Sequence, residues 1–206
     1  FDQTWSEHCF HKTFKGTIET PDDTVNGLLR TYIRSVVREL NPDWCFSVFE
    51  DNAGIVDLDE EHAIAVKVET HNHPSAIEPF GGAATGLGGV IRDILGVWAD
   101  PIACTDVLCF GPLDYDYHRL PEGVKHPNYI YSGVVDGIGS YGNSIGIPTV
   151  NGAVYFDEDY TGNVVVYAGC IGLLRKDRYI RNVRPGDHIV LAGGRTGLDG
   201  IHGVTF

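Results

Sequence analysis

Lys67, Glu69, His71 and His73 alternate along one short stretch and bring together a cation, an anion and two imidazoles. An ammonium can offset charge on a transferring phosphoryl group, a carboxylate can hold a hard cation, and an imidazole can take or give a proton near neutral pH. Ahead of them Ile64, Val66 and Val68 alternate with Ala63, Ala65, Lys67 and Glu69, the period of a strand with two unlike faces. If the extended run continues to Pro74, all four side chains share one face. At about 3.3 Å per residue the row then spans roughly 20 Å, the length of a nucleoside triphosphate laid beside a second substrate.

Glycines follow at once: Gly81, Gly82, Gly86, Gly88 and Gly89, where backbone turns freely or comes close to a ligand. Beyond them Leu87, Val90, Ile91, Ile94, Leu95 and Trp98 fall on one helical face, with Arg92 and Asp93 on the other. A strand of ionisable groups, a glycine loop and a helix presenting an Arg-Asp pair make a phosphate and magnesium site: loop amides and a helix start attract anions, and carboxylates hold the cation. It is not the common phosphate loop, because no Gly-Lys-Ser/Thr follows the glycines. The rival reading takes His71 and His73, on one strand face, as zinc ligands of an amidohydrolase.

The elements that position this stretch are those of a globular chain of 206 residues, 43% hydrophobic and 21% charged. No apolar run is long enough to span a bilayer. A formal charge of −13 argues against a dedicated nucleic-acid binder, which carries a basic patch. The five cysteines are odd in number with no C-x-x-C pair, which fits a reducing cytoplasm. With no methionine even at position 1, the chain reads as part of a longer polypeptide.

In order, Pro21, Asp22 and Asp23 predict a helix with Val25, Leu28, Leu29, Ile33, Val36, Val37 and Leu40 as its buried stripe, stopped by Asn41-Pro42. Short strands are expected at 46–49 and 54–58, a buried strand at 103–110, and a glycine-tolerant helix at 129–143 whose Gly137, Gly139 and Gly142 require something packed very close. Strands at 147–156 and 163–174 read as a hairpin joined by DEDYTG. Arg184-Pro185-Gly186-Asp187 punctuates the chain before a fresh strand at 188–192. The domain boundary is therefore placed there: 1–183 as one domain, 184–206 as the start of another.

At these residues the sequence resembles the synthetase component of phosphoribosylformylglycinamidine synthase. The resemblance rests on SEHC with a lysine three positions on, VKVETHNHPSAIEPFGGAATGLGGVIRDILG, GIGSYGNSIGIPTVNGAVYFDE and GGRTGLDGIHG, in that order. It implies an α/β (α+β) fold: an aminoimidazole ribonucleotide synthetase-like N-terminal domain, with a mixed sheet flanked by helices and paired with a partner domain, then a C-terminal domain. It implies active-site histidines at His8 and His71 and ATP contacts at His11 and Lys67. Magnesium carboxylates fall at Glu69 and Asp93, and formylglycinamide ribonucleotide contacts at Thr70, Asn72, His73 and Arg92. The implied reaction is the ATP-dependent amidation of formylglycinamide ribonucleotide in purine biosynthesis, with ammonia supplied by a glutaminase subunit or domain. Two positions depart from the family pattern, His11 where tyrosine is common and Leu198 where arginine is common. A non-catalytic nucleotide-binding assembly domain is the alternative within the superfamily, and an uncovered sheet edge would pair with a second copy.

Overall fold

Small residues on one side of a strand let a helix lie close, and Ala63 and Ala65 do this for the strand that carries Lys67. In the computed structural model, which describes residues 15–17, 24–27, 29–180 and 182–194, both alanines are fully buried. The first elements are a two-stranded antiparallel pair, β1 (Lys15–Thr17) and β2 (Thr24–Asn26). A π-helical segment, Leu29–Arg34, then runs into α1 (Ser35–Leu40). The helix expected from Pro21 onward thus begins later, after a strand. Of its expected stripe, Ile33, Val36 and Leu40 are exposed; the side chains of Val25, Leu28 and Leu29 lie outside the described ones. It stops where expected, with Asn41 in the left-handed conformation.

The main sheet contains β3 (Cys45–Ser47), β4 (Gly54–Asp57), β5 (His62–Thr70), β6 (Asp100–Phe110), β7 (Thr149–Phe156) and β8 (Val165–Arg175). Their order is β3-β4-β5-β8-β6-β7, antiparallel throughout except for the parallel pair β6 and β7. The predicted β7–β8 hairpin does not form, because β6 lies between the two strands. The intervening acidic segment makes a single turn of 3-10 helix, Glu158–Tyr160, started by the Asp157 carboxylate accepting from the Asp159 N–H. The chain then crosses to the centre of the sheet.

Three helices complete the fold: α2 (Asn72–Ile77), α3 (Pro79–Gly96) and α4 (Pro127–Ile145). The glycine loop expected after Phe80 is therefore helix. A glycine inside a helix costs about 1 kcal/mol relative to alanine, and here close packing offsets that cost. A Cβ on Gly82 would lie 2.5 Å from the backbone of Pro74 and Ser75 in α2, and one on Gly137 of α4 would fall on the Phe80 carbonyl of α3. The close neighbour expected at Gly137 is present, whereas Gly139 has nothing among the described residues within 4 Å. Leu87, Val90, Ile91 and Ile94 of α3 and Ile130 and Val134 of α4 form one core with Phe110, Val166, Ala168 and Leu174 of the sheet. The opposite sheet face is open, with Val66, Val68, Val107 and Tyr167 exposed. Residues 182–194 hold the expected turn, in which the Arg184 N–H donates to the Asp187 carboxylate, but not the strand predicted at 188–192.

Candidate functional site

Strand pairing decides which residues meet. On β5, Lys67 stands opposite Cys170 and Glu69 opposite Ala168, both fully or almost fully buried residues of β8 on the face that α3 covers. Lys67 and Glu69 therefore point to the helix side, as their parity requires. Lys67 Nζ reaches Asp93 Oδ2 of α3 at 2.8 Å, with both side chains about one quarter exposed (27% and 26%). His71 extends this row one step past the strand. Its N–H donates to the Val166 carbonyl (2.8 Å), and its carbonyl accepts from the Ser75 hydroxyl (2.6 Å). The ring rests on α3 at Gly86, and its Nδ1 is buried without a hydrogen-bond partner among the described residues.

The other expected site residues separate from this row. The strand ends at Thr70 and α2 begins at Asn72, so His73 sits on a helix and leaves the face shared by Lys67, Glu69 and His71. Two imidazoles successive on one strand face, the premise of the zinc reading, are thus not present. Asn72 anchors the start of β8, its Oδ1 accepting from the Val166 N–H at 2.9 Å. Thr70 stands opposite Tyr167, on the open side of the sheet. Arg92 and Asp93 also part: Asp93 turns to Lys67, and Arg92 lines a groove of about 460 Å³ on the outside of α3 and α4 with Thr85, Gly88, Leu95 and Tyr141. His8, His11 and Leu198 lie outside the described residues.

Glu69 and Asp93 offer oxygen donors alone, which suits magnesium, an ion that needs only one or two protein carboxylates beside substrate phosphates. Among the described residues no three His, Cys, Asp or Glu side chains gather into a metal cluster.

A further residue went unread in the sequence. Asp106 lies in the middle of β6, opposite Ala168, so Glu69, Ala168 and Asp106 form one row across three strands. Two strand spacings put Asp106 roughly 10 Å from Glu69 at the backbone. Asp106 is 6% exposed; one carboxylate oxygen is buried without a partner among the described residues, and the other accepts from the Thr149 hydroxyl at 3.4 Å. Burial pushes its carboxyl up to about 6, against a smaller opposing effect of that hydroxyl. It floors a groove of about 530 Å³ between β7 and α4, walled by Leu108, Val135, Ile138 and Val154. The sequence signal is a lone carboxylate in the middle of the largely apolar run Ala103 to Phe110. In the neighbouring row, Lys67, Cys170 and Cys104 stand side by side; hydrogen bonding to Cys170 and burial push the Cys104 thiol up.

Comparison with known proteins gives this geometry a context. Residues 50–174 match the family described as AIR synthase related protein, N-terminal domain. The chain is 47% identical over 206 residues to the phosphoribosylformylglycinamidine synthase subunit PurL of Thermoplasma acidophilum, covering 99% of this chain and 25% of that protein. It also resembles T. maritima PurL complexed with ATP (38% identity, TM-score 0.57, 75% of this chain and 23% of the other). A similar match is T. maritima PurL complexed with FGAR (38% identity, TM-score 0.56, 74% and 23%). The chain thus spans about a quarter of the length of the relatives it matches. A family match that begins before β4 and runs through nearly all of β8 takes in every strand and helix around Lys67, Asp93 and His71, and the chain belongs to the AIR synthase related family through this N-terminal domain.

Proposed function

We propose that the chain forms the ATP- and substrate-holding domain of a phosphoribosylformylglycinamidine synthase. The whole protein would carry out the ATP-dependent amidation of formylglycinamide ribonucleotide with ammonia from a glutaminase partner, in the cytoplasm. The observation that carries this reading is the α3-side row of Lys67, Glu69 and His71, closed by Asp93 at 2.8 Å from Lys67. It is supported by the 47% identity to a PurL subunit.

Phosphoryl transfer to the substrate amide oxygen needs little covalent help from the protein and much positioning and charge neutralisation. Lys67 supplies the cation at the phosphates. Glu69 and Asp93 would hold magnesium, which offsets charge on the phosphate oxygens when bound. His71 takes the proton as ammonia adds, and His8 and His11 complete the proton and ATP contacts. The family resemblance assigns Thr70, Asn72, His73 and Arg92 to formylglycinamide ribonucleotide; Asn72 and His73 adjoin His71, whereas Thr70 and Arg92 face other surfaces of the chain. The groove at Asp106 has apolar walls for a flat base, with the Asp106 carboxylate, 6% exposed, at its floor, at a distance from Glu69 that a nucleotide spans. It is therefore assigned to the adenine of ATP.

Residues 184–206 are assigned to the next domain, and the open face around Val66 and Val68 to a partner domain of the same parent protein. The 206 residues alone are expected not to turn over. The test is to assay the full-length parent and its His71→Ala variant with ATP, ammonia and formylglycinamide ribonucleotide. A loss of about 10²- to 10⁴-fold in kcat supports the assignment, and equal rates would remove His71 from the reaction.

A further inference from the structure

We infer that Gly86 is a positioning residue for His71: its bare α-carbon is what lets the imidazole seat against α3 with Nε2 turned to the substrate. This rests on the role given to His71 above. A Cβ built on Gly86 would lie 2.7 Å from His71 Cβ, 3.0 Å from Cγ and 3.5 Å from Nδ1. The first of these separations is closer than real carbon atoms approach, so an alanine must displace either the ring or the helix.

Neither moves freely. The backbone of His71 is tied to β8 by its N–H on the Val166 carbonyl and to α2 by the Ser75 hydroxyl on its own carbonyl, and the next residue is tied by Asn72 Oδ1 on the Val166 N–H. One turn before Gly86, Gly82 is locked in the same manner against Pro74 and Ser75. Leu87, Val90 and Ile91, fully buried, hold the next turn of α3 to the sheet. His71 Cβ is fixed to its own backbone, so turning the ring cannot relieve the 2.7 Å contact; an added methyl must press the His71 backbone and α3 apart, and the imidazole is carried out of place with it.

The orientation matters because the two nitrogens are not equivalent. Nδ1 is buried and has no hydrogen-bond partner among the described residues, so it has no route to a substrate proton. Nε2 is left as the working nitrogen. A ring displaced by Gly86→Ala keeps its chemistry but loses its aim, and a misplacement of about 1 Å at a reacting group costs on the order of 10²-fold in rate. Lys67 and Asp93, which hold the ATP end of the site, do not touch Gly86. ATP affinity is therefore spared.

The experiment uses the full-length parent protein with ATP, ammonia and formylglycinamide ribonucleotide, comparing wild type, Gly86→Ala, His71→Gly and the double variant. His71→Gly is chosen because it removes the Cβ that the new methyl would strike. The expected result for Gly86→Ala is a kcat lower by about 10²-fold with the KM for ATP changed by no more than about threefold. In the His71→Gly background the same substitution should leave kcat unchanged. Melting provides a second readout, independent of activity. Gly86→Ala should lower the melting temperature when His71 is present and raise it when residue 71 is glycine, as a helical Gly→Ala change does in open space. If Gly86→Ala folds too poorly to assay, recovery of folding in the double variant supports the contact and continued failure overturns it. Equal kcat for Gly86→Ala and wild type, or the same loss in both backgrounds, would overturn the positioning role. An unaltered kcat in His71→Gly would instead strike the role of His71 itself.

Discussion

Lys67 Nζ and Asp93 Oδ2 meet at 2.8 Å and form an ion pair between β5 and α3 at the centre of the proposed nucleotide site. Each side chain keeps about a quarter of its surface exposed, so water screens the pair and its worth to folding is modest, about 1 kcal/mol or less. In the proposed site its worth to chemistry would differ, because incoming phosphates would have to share or replace Asp93 as the partner of the ammonium.

The first prediction separates these two roles. Lys67→Met should lower the melting temperature of the full-length parent by only a few degrees while reducing ATP-dependent turnover by about 10²- to 10³-fold. A steady-state assay beside a melting curve checks it. Loss of folding in step with loss of activity would make the pair structural.

A second prediction concerns pH. The carboxyl of Asp106 is raised by burial from an ordinary 3.8 to about 6 in the folded chain. The folded state then holds its proton more tightly than the unfolded state does. Its relative stabilisation is complete below about pH 4 and lost as pH rises through about 6. At pH 8 the buried charge costs up to about 3 kcal/mol. Asp106→Asn should therefore raise stability in urea at pH 8 and have little effect at pH 4, with the gain appearing between those values. If the groove holds the adenine of ATP, the same variant should weaken ATP binding by the full-length parent about tenfold, a typical hydrogen bond to a charged group being worth about 1.5 kcal/mol or more.

A third prediction tests how α4 begins. His126 is buried and stacks on Tyr117 with ring centres 4.1 Å apart; its Nε2 lies 2.8 Å from the Tyr115 carbonyl and its Nδ1 accepts from the Asn128 N–H. These contacts fix the tautomer with the proton on Nε2. His126→Ala removes the cap and the donor together and should cost about 2 kcal/mol, whereas His126→Asn, which can still cap, should recover about half of that. Denaturant melts of the two variants decide it.

What sequence could and could not reveal follows from physics particular to each residue. The alternation around β5 placed Lys67, Glu69 and His71 on one side because strand geometry alone fixes parity. His73 leaves the row because the chain turns into α2 at Asn72, a turn that the alternation running up to Pro74 does not announce. The glycines after Phe80 look like loop because glycine is a poor helix former in isolation; what makes them helical is the nearness of α2, His71 and α4, which no local pattern records. The acidic DEDYTG segment carried hairpin chemistry, but the insertion of β6 between β7 and β8 is a long-range matter. Asp106 was hidden by its apolar neighbours, and Arg92 and Asp93, adjacent in sequence, point about 100° apart around α3 and so serve different surfaces.

The fourth prediction turns that lesson about glycine into a measurement. Gly137 and Gly139 lie two residues apart in the same helix, α4, and propensity treats them alike: replacement by alanine should stabilise an open helix by about 1 kcal/mol at either position. Packing does not treat them alike. A Cβ on Gly137 would fall on the Phe80 carbonyl at the start of α3, backbone that cannot swing aside, while one on Gly139 would meet nothing within 4 Å. Overpacking of this kind costs about 1 to 3 kcal/mol after relaxation. Gly139→Ala should therefore raise stability and Gly137→Ala lower it, with a gap of about 2 to 4 kcal/mol between two chains of identical composition. Equal stabilities in denaturant would mean that α3 and α4 do not approach closely at Phe80, and the seat of α3 that aligns Asp93 with Lys67 would have to be drawn differently.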